Sequence, residues 1–453
     1  MTVTVTGTST ALPAALVGAG EGDVQVAARR SSRYGWTVFP WAFVILGLVG
    51  PLPAAGSQAR LDGEYGLWVT DSGGVIRVAW LTSSVEEGVL EVLSEDRLEY
   101  RVETLAAQAH FTTLPRPIGD SVLLRYGALR AEDLHTTVLY LNEEGPRTPD
   151  VISGVDSLFV VGDVHGEYDR LLGLLGNAGL IDAESQWVGG RSHVVFLGDL
   201  FDRGADVTQT LWFLYGLERQ AQAAGGGAHV VLGNHETMIF TDDVRYVAAK
   251  EQLIASLHGT SYPDLFDIRR SVLGRWLVGR PGLMKVNGVL LAHGGVAPGS
   301  SPRSVEAVND SMWTFMSEDL FYLWSDTTLA LVADSAAAAQ AAERYETVII
   351  MAPDAIERRT RLLFDETSIL WFRGYVASDR FTAELDEVLD EFGTEIHVVA
   401  HTPVKSIEAR YDGRLLAVDL EKPATEMLLL VWDSGGGPYQ RWRFSLDAPP
   451  ERF

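Results

Sequence analysis

Three segments of this chain end in the same way, and this repeated ending limits the fold more than any other feature of the sequence. Each segment is a short, mainly apolar run that stops at a glycine followed by acidic, amide or imidazole side chains. The three endings are Gly162-Asp163-Val164-His165-Gly166, Gly198-Asp199-Leu200-Phe201-Asp202-Arg203-Gly204 and Gly233-Asn234-His235-Glu236. A short continuous apolar run is typical of a strand that is buried on both faces. Because ligands of open α/β sheets bind beyond the carboxyl ends of the strands, the sequence predicts a metal site there.

Two further histidines extend this pattern. His293 follows Leu290-Leu291-Ala292, and His401 follows Val398-Val399-Ala400. One histidine at a strand end is more often structural than a ligand, but five such strand ends in one chain favour a metal centre. The carboxylate, imidazole and amide donors suit manganese, iron or zinc better than calcium. The chain has no cysteine, which excludes disulfides, thiolate-ligated zinc, iron–sulfur clusters and thiol nucleophiles.

Residues 151–453 have the pattern of an α/β catalytic domain. Apolar residues at helical spacing predict helices over 169–180 and 206–224 between the first strands, as in βαβ units. A mainly helical insertion is expected at about 240–282, beside the site as a cap. Further strands are predicted at 288–292, 347–351, 395–400 and 415–419, with a closing strand pair in 427–444.

Residues 60–150 have a different character. Six short β-rich runs alternate with turn residues, at 65–70, 75–81, 88–93, 98–105, 121–126 and 135–141. Regular short strands at this spacing are typical of an all-β sandwich. The layout resembles a fibronectin type III-like domain, and we therefore expect a small sandwich ahead of the catalytic domain.

The N-terminal 55 residues predict export or membrane attachment. Residues 1–35 look disordered and end in a basic cluster, and residues 36–55 carry no charged side chain. The second segment fits a cleaved signal peptide, a retained membrane anchor or, less well, a buried core element. We expect a periplasmic, extracellular or membrane-anchored protein rather than a cytoplasmic one. A formal net charge of −25 argues against a nucleic-acid polymer as partner.

The ordered set of motifs resembles the calcineurin-like metallophosphoesterases, in particular their phosphoprotein-phosphatase branch. The segment Trp371-Phe372-Arg373-Gly374-Tyr375, followed by Ala400-His401-Thr402-Pro403, is most similar to the bacterial Shewanella-like phosphatases. The resemblance covers about residues 156–420. It implies a four-layered αββα sandwich with two metal ions, whose identity among manganese, iron and zinc stays open.

The resemblance also implies a role for each motif residue. The implied metal ligands are Asp163 and His165 for the first ion, Asp199 as the bridge, Asn234 and His293 for the second ion, and His401 for one of the two. The implied catalytic and substrate residues are His235 as the general acid, Asp202 as its partner, and Arg203 and Arg373 as the phosphate clamp. Arginine suits that task because its planar guanidinium binds phosphate oxygens bidentately. Alternatively, Asp202 and Arg203 form a structural ion pair, and Arg373 is a surface residue or the partner of an interdomain salt bridge.

These features predict a two-metal hydrolase of phosphomonoesters that acts by direct attack of metal-bound hydroxide. Phosphorylated proteins are the leading substrates, with small phosphoesters close behind. A phosphodiesterase or dinucleoside polyphosphate hydrolase is the main alternative. A non-catalytic binding protein on the same fold is a remote one.

Overall fold

The structure is a computed structural model, which describes residues 66–72, 74–141, 149–300, 304–317, 358, 360–432 and 439–453. The predicted disordered segment 1–35, the predicted signal peptide or anchor 36–55 and the predicted strand 347–351 lie outside these residues. In the part of the chain that is described, no helix combines the length and the apolar character needed to cross a membrane. The described residues belong to one compact unit.

The described residues begin with one antiparallel sheet of five strands. The strands are β1 (Trp68–Ser72), β2 (Val75–Ser94), β3 (Arg97–Pro115), β4 (Ser121–Ala128) and β5 (His135–Tyr140). Strand β2 pairs with β3 on one side and with β1 and then β4 on the other. The predicted fibronectin type III-like sandwich is not confirmed, since the predicted strands 75–81 and 88–93 are one strand. The polar residues between them are not a turn but an irregular stretch of pairing between Leu81 and Gly88.

Two six-stranded sheets lie among the described residues after β5. The first has the order β17-β16-β15-β7-β8-β9, and the second has the order β13-β14-β12-β11-β10-β6. Their strands are β6 (Val151–Ile152), β7 (Ser157–Val161), β8 (His193–Phe196), β9 (Gly227–Val230), β10 (Leu283–Val286), β11 (Val289–Ala292), β12 (Ile396–Val399), β13 (Glu408–Arg410), β14 (Leu415–Ala417), β15 (Glu426–Val431), β16 (Gln440–Ser445) and β17 (Glu451–Arg452). Strands β7, β8 and β9 are parallel, as are β11, β12 and β14. Their carboxyl ends therefore lie at common edges.

Strand β7 shows why these runs are apolar without alternation. Leu158 and Val160 pack with Met284 of the second sheet, whereas Phe159 and Val161 belong to the core on the opposite face. Successive side chains of a strand point to opposite faces, so a strand between two cores must be apolar at every position. The predicted α/β class is confirmed.

Eight α-helices with described bounds accompany the sheets. They are α1 (Tyr168–Asn177), α2 (Val207–Ala223), α3 (Asn234–Phe240), α4 (Ala249–Leu257), α5 (Val272–Val278), α6 (Val305–Ser317), α7 (Gly374–Ala377) and α8 (Thr382–Phe392). Helices α4 and α5, with a 3₁₀ turn at Pro263–Phe266 between them, lie where the helical insertion is expected. Helix α6 packs on the second sheet, where the Asn309 side-chain oxygen accepts a hydrogen bond from the Leu283 N–H at 3.1 Å.

The N-terminal sheet rests on helices of the catalytic region. The indole N–H of Trp212 in α2 donates to the carbonyl of Leu67 at 2.9 Å. In β5, the Tyr140 N–H donates to the Tyr215 hydroxyl of α2 at 2.9 Å. Apolar side chains of the sheet and of α2 and α5 belong to one continuous core. Helices of the catalytic region thus cover a face of this sheet that a sandwich would cover with a second sheet.

Candidate metal centre

Five of the predicted ligands lie in the loop that follows the carboxyl end of a strand, and Asn234 is the first residue of α3, directly after the loop that follows β9. All six are buried. Strands β7, β8 and β9 of one sheet and β11 and β12 of the other provide these loops. The exposed fractions are 3% for Asp163, 1% for His165, 1% for Asp199, 2% for Asn234, 0% for His293 and 3% for His401. The five strand ends thus converge. For example, the His401 N–H donates to the Asp163 carboxylate at 3.2 Å, although these two residues are 238 positions apart in the sequence.

One group of donors collects around one oxygen of Asp199. Its Oδ2 lies 3.9 Å from Nε2 of His165, and that nitrogen lies 3.5 Å from Oδ2 of Asp163. The Nδ1–H of His165 donates to the carbonyl of Phe201 at 2.7 Å, which leaves Nε2 free to act as a ligand. Nε2 is buried and has no hydrogen-bond partner among the described residues. Such a backbone bond is how proteins orient a metal-binding histidine.

A second group collects around the other oxygen of Asp199. Its Oδ1 lies 3.2 Å from Nε2 of His293. The same nitrogen is 3.0 Å from Oδ1 of Asn234 and 3.2 Å from Nδ1 of His401. The Nδ1–H of His293 donates to the Leu197 carbonyl at 2.6 Å, which again turns Nε2 toward the other donors.

The donor set fits metal ions. Groups of three could each hold an ion: His165 with Asp199 and His235, and Asp199 with His293 and His401. Asp199 belongs to both groups. A carboxylate whose two oxygens face two clusters of nitrogen and oxygen donors has the geometry required of a bridging ligand.

The charges of the cluster shift the pKa values of its members. Burial alone would lower the pKa of His293, but Asp199 and Asp163 outweigh it and raise this pKa to about 10. Burial, reinforced by the charge of His293, lowers the pKa of His401 to about 2. Burial works against ionisation of Asp199, yet His293 and His235 hold its pKa well below the usual range. Asp199 and His293 thus stabilise each other's charged forms, whereas His401 stays neutral beside them.

His235 and Asp202 form the pair that the sequence predicts. Nδ1 of His235 lies 2.5 Å from Oδ2 of Asp202, and both side chains are buried. Nε2 of His235 lies 3.7 Å from Oδ2 of the bridging Asp199. The carboxylate of Asp202 therefore bonds to the histidine and not to Arg203, in contrast to the structural ion pair considered above.

Both arginines are exposed beside the cluster. The Arg203 N–H donates to the Tyr246 carbonyl at 2.9 Å, and the Arg373 guanidinium donates to the His401 carbonyl. Within the described part of the chain, neither guanidinium has an ion pair with a carboxylate. Their charges are thus available to a phosphate group.

The backbone of the site adopts conformations that non-glycine residues rarely take. Positive φ values occur at His165 (48°), Asp199 (49°), Asp202 (69°), Arg203 (64°) and His401 (64°). Such residues cluster at functional sites, where the surrounding structure holds them in place. Position 233 requires glycine, because a Cβ there would lie 2.3 Å from Oδ1 of Asp199.

Three residues near the site were not assigned a role from the sequence. Glu236 orders the neighbouring loops, because it accepts hydrogen bonds from the N–H groups of Gly233, Asp199 and Leu200. The unassigned residues are Tyr246, whose ring centroid is 5.6 Å from that of His235, the buried Asp419, and the buried Glu251, which anchors α4 on Thr208 of α2. Their positions depend on contacts between distant segments. Of the three, only Asp419 had a signal in the sequence, because it is an acidic residue near the end of a strand.

The chain is similar to curated proteins that are named as phosphatases. The chain is 41% identical over 95 residues to Shewanella-like protein phosphatase 2 of Arabidopsis thaliana, covering 21% of this chain and 24% of the relative. It is 27% identical over 194 residues to Shewanella-like protein phosphatase 1 of Plasmodium berghei, covering 39% and 53%. The matches thus span between a quarter and about half of the length of these curated relatives.

Likeness to a solved structure extends further along the chain. The crystal structure of the cold-active protein-tyrosine phosphatase of a psychrophilic Shewanella species has a TM-score of 0.61 and 27% identity, and it covers 86% of this chain and 98% of that one. The family model described as calcineurin-like phosphoesterase matches residues 157–405. The predicted resemblance is confirmed. Since that match includes more than half of the chain, the protein belongs to the calcineurin-like phosphoesterase family.

Proposed function

We propose that this protein is a two-metal phosphomonoesterase that removes phosphate from phosphorylated proteins, with a preference for phosphotyrosine. The observation that carries the proposal is the position of Asp199. Its Oδ2 faces His165, and its Oδ1 faces His293. A bridging carboxylate of this kind is what brings two cations close enough to act on one phosphate.

The two ions would supply Lewis acidity and an activated nucleophile for in-line displacement at phosphorus. The chain supplies orientation. The carbonyls of Phe201 and Leu197 fix the rings of His165 and His293, and Glu236 fixes the loop that carries Asp199. Pre-organisation of this kind avoids the cost of rearranging the site during the reaction.

Departure of the alcohol requires a proton, and in this proposal His235 gives it. Its Nδ1–H donates to Asp202, so that a proton on Nε2 faces the Asp199 side of the site. Transfer of that proton to the leaving oxygen breaks the P–O bond without leaving an alkoxide. Asp202 stabilises the imidazolium that gives the proton.

Two exposed guanidinium groups support a phosphate-binding role. Arg373 is held by the carbonyl of the ligand His401, and Arg203 directly follows Asp202. Because both come from loops at the metal centre, they can bind the non-bridging oxygens of one phosphate from two sides. Neutralising these oxygens helps the nucleophile approach the phosphorus.

The preference for an aromatic leaving group rests on Tyr246. Its side chain is 50% exposed, and its ring lies 5.6 Å from the ring of His235. An exposed aromatic ring next to the acid offers a packing surface to the ring of a phosphotyrosine. The likeness to a protein named as a tyrosine phosphatase supports the same choice.

Phosphate release measured on four substrates tests the proposal. The substrates are a phosphotyrosine peptide, a phosphoserine peptide of the same sequence, an aryl phosphomonoester and its diester, each with manganese and with chelator. We expect manganese-dependent hydrolysis of the monoesters and a higher kcat/KM for phosphotyrosine. Tyr246→Ala should reduce that preference, whereas Phe111→Ala, at a 63% exposed aromatic residue of β3, should not. Cleavage of the diester with both peptides untouched would favour the phosphodiesterase alternative, and absence of turnover with two ions bound would favour the non-catalytic one.

A further inference from the structure

Asp419 is placed at the same sheet edge as the predicted ligands. It lies two residues beyond the end of β14, which pairs in parallel with β12. In that pairing Ala417 is opposite Val399. Counting two residues onward along each strand places Asp419 next to His401. The Asp419 carbonyl accepts a hydrogen bond from the Val404 N–H at 2.9 Å, which keeps the two loops together.

The backbone of Asp419 also packs against the segment that carries Asp163. A Cβ on Gly162 would lie 2.3 Å from the Val418 carbonyl oxygen and 3.0 Å from the Cα of Asp419. Only glycine allows this approach, because any side chain would separate the two segments. Asp419 is thereby fixed beside the loop of the first ligand group.

The side chain of Asp419 is buried without a full set of partners. It is 2% exposed, and its Oδ2 has no hydrogen-bond partner among the described residues. A buried carboxylate oxygen without a donor, beside a second carboxylate, is unfavourable unless a cation compensates it.

We propose that Asp419 is an additional acidic residue of the metal centre, which stabilises the ion on the side of Asp163 and His165. In the ligand group of Asp163 and His165, Asp163 is the one carboxylate that the second group does not share, and Asp419 adds a further negative charge there. Acidic and hydrogen-bonding groups around the direct ligands commonly tune metal affinity. The inference rests on the metal centre of the proposed function, but it concerns metal binding and not turnover.

Calorimetric titration of the metal-free full chain with Mn²⁺ tests this role. Wild type should bind two ions. Asp419→Asn keeps the shape of the side chain and removes its charge, so that one of the two sites should weaken by about 10- to 100-fold. The melting temperature of the metal-free variant should not fall below that of wild type, which separates a metal role from a structural one. Asp419→Ser provides a second, smaller variant and should show the same loss.

Glu251→Gln is the matched control, because Glu251 is also a fully buried carboxylate but is bonded to Thr208 instead. It should bind both ions as wild type does. Unchanged binding of both ions by Asp419→Asn or Asp419→Ser would overturn the inference. Wild type with two ions but no phosphatase activity would overturn the proposed function alone, and wild type with fewer than two ions would overturn both.

Discussion

Replacement of Asp202 by asparagine tests the acid pair in detail. Asp202 Oδ2 is 2.5 Å from His235 Nδ1, in a place where Asp202 is 1% and His235 4% exposed. A hydrogen bond to a charged group contributes about 1.5–3 kcal/mol. Since each 1.4 kcal/mol corresponds to a factor of ten, Asp202→Asn should lower kcat for a phosphoserine peptide by about 10- to 150-fold.

The choice of substrate makes this prediction specific. An aryl phosphate with an electron-poor ring has a leaving group that departs with little help from an acid. Asp202→Asn should therefore affect that substrate much less than the phosphopeptide, while both metal ions remain bound. Steady-state kinetics on the two substrates, with metal analysis of the same samples, measures the difference.

Asp206→Asn provides the control, because Asp206 is on the same loop but pairs with Lys250 at 2.5 Å. It should retain the activity of wild type on both substrates. An equal loss on the aryl phosphate and the phosphopeptide for Asp202→Asn would refute its role in leaving-group protonation. A loss of bound metal would show that it acts on the metal centre instead.

Three further changes have clear expected results. Arg373→Lys removes bidentate phosphate binding and should raise KM by about tenfold with an unchanged melting temperature. Gly233→Ala places a Cβ 2.3 Å from Oδ1 of Asp199 and should reduce both metal content and activity. Burial raises the pKa of Glu251 from 4.5 to about 7. An acid whose pKa is higher in the folded than in the unfolded state stabilises the folded protein at low pH, and this stabilisation is lost as the pH rises through the interval. The free energy of unfolding of wild type should therefore fall by about 3 kcal/mol relative to that of Glu251→Gln between pH 4.5 and pH 8. Urea unfolding of both proteins across that range measures this loss, and parallel curves would contradict it.

The ligands could be predicted because each follows its strand directly in the sequence. A continuous apolar run shows burial on both faces, and parallel strands then bring Asp163, Asp199 and Asn234 to one edge without further information. The pairing of His235 with Asp202 followed from the family resemblance, and the structure contains it.

The N-terminal region shows what local patterns omit. The sequence between Leu81 and Gly88 is polar and resembles a turn, but pairing with β3 continues across it with an irregular register. Which surface covers a sheet depends on the rest of the chain, and here Trp212 and Tyr215 of α2 provide contacts to the sheet region. Alternation of apolar and polar residues predicts that one face of a sheet is buried, but it does not predict which part of the chain covers that face.

Tyr246 and Asp419 were missed for a related reason. Tyr246 is in the segment between α3 and α4, and nothing in its sequence indicates that its ring approaches His235. Asp419 becomes notable only because Gly162 allows its backbone to approach Asp163. Both positions result from contacts between segments that are distant in the chain.

The central claim is that Asp199 bridges two metal ions that hydrolyse a phosphomonoester. Its most direct test is to measure manganese content and phosphate release from a phosphotyrosine peptide for wild type and Asp199→Asn. We predict two ions per chain and chelator-sensitive activity for wild type, and the loss of activity together with at least one ion for the variant. Full activity of Asp199→Asn with both ions retained would contradict the account.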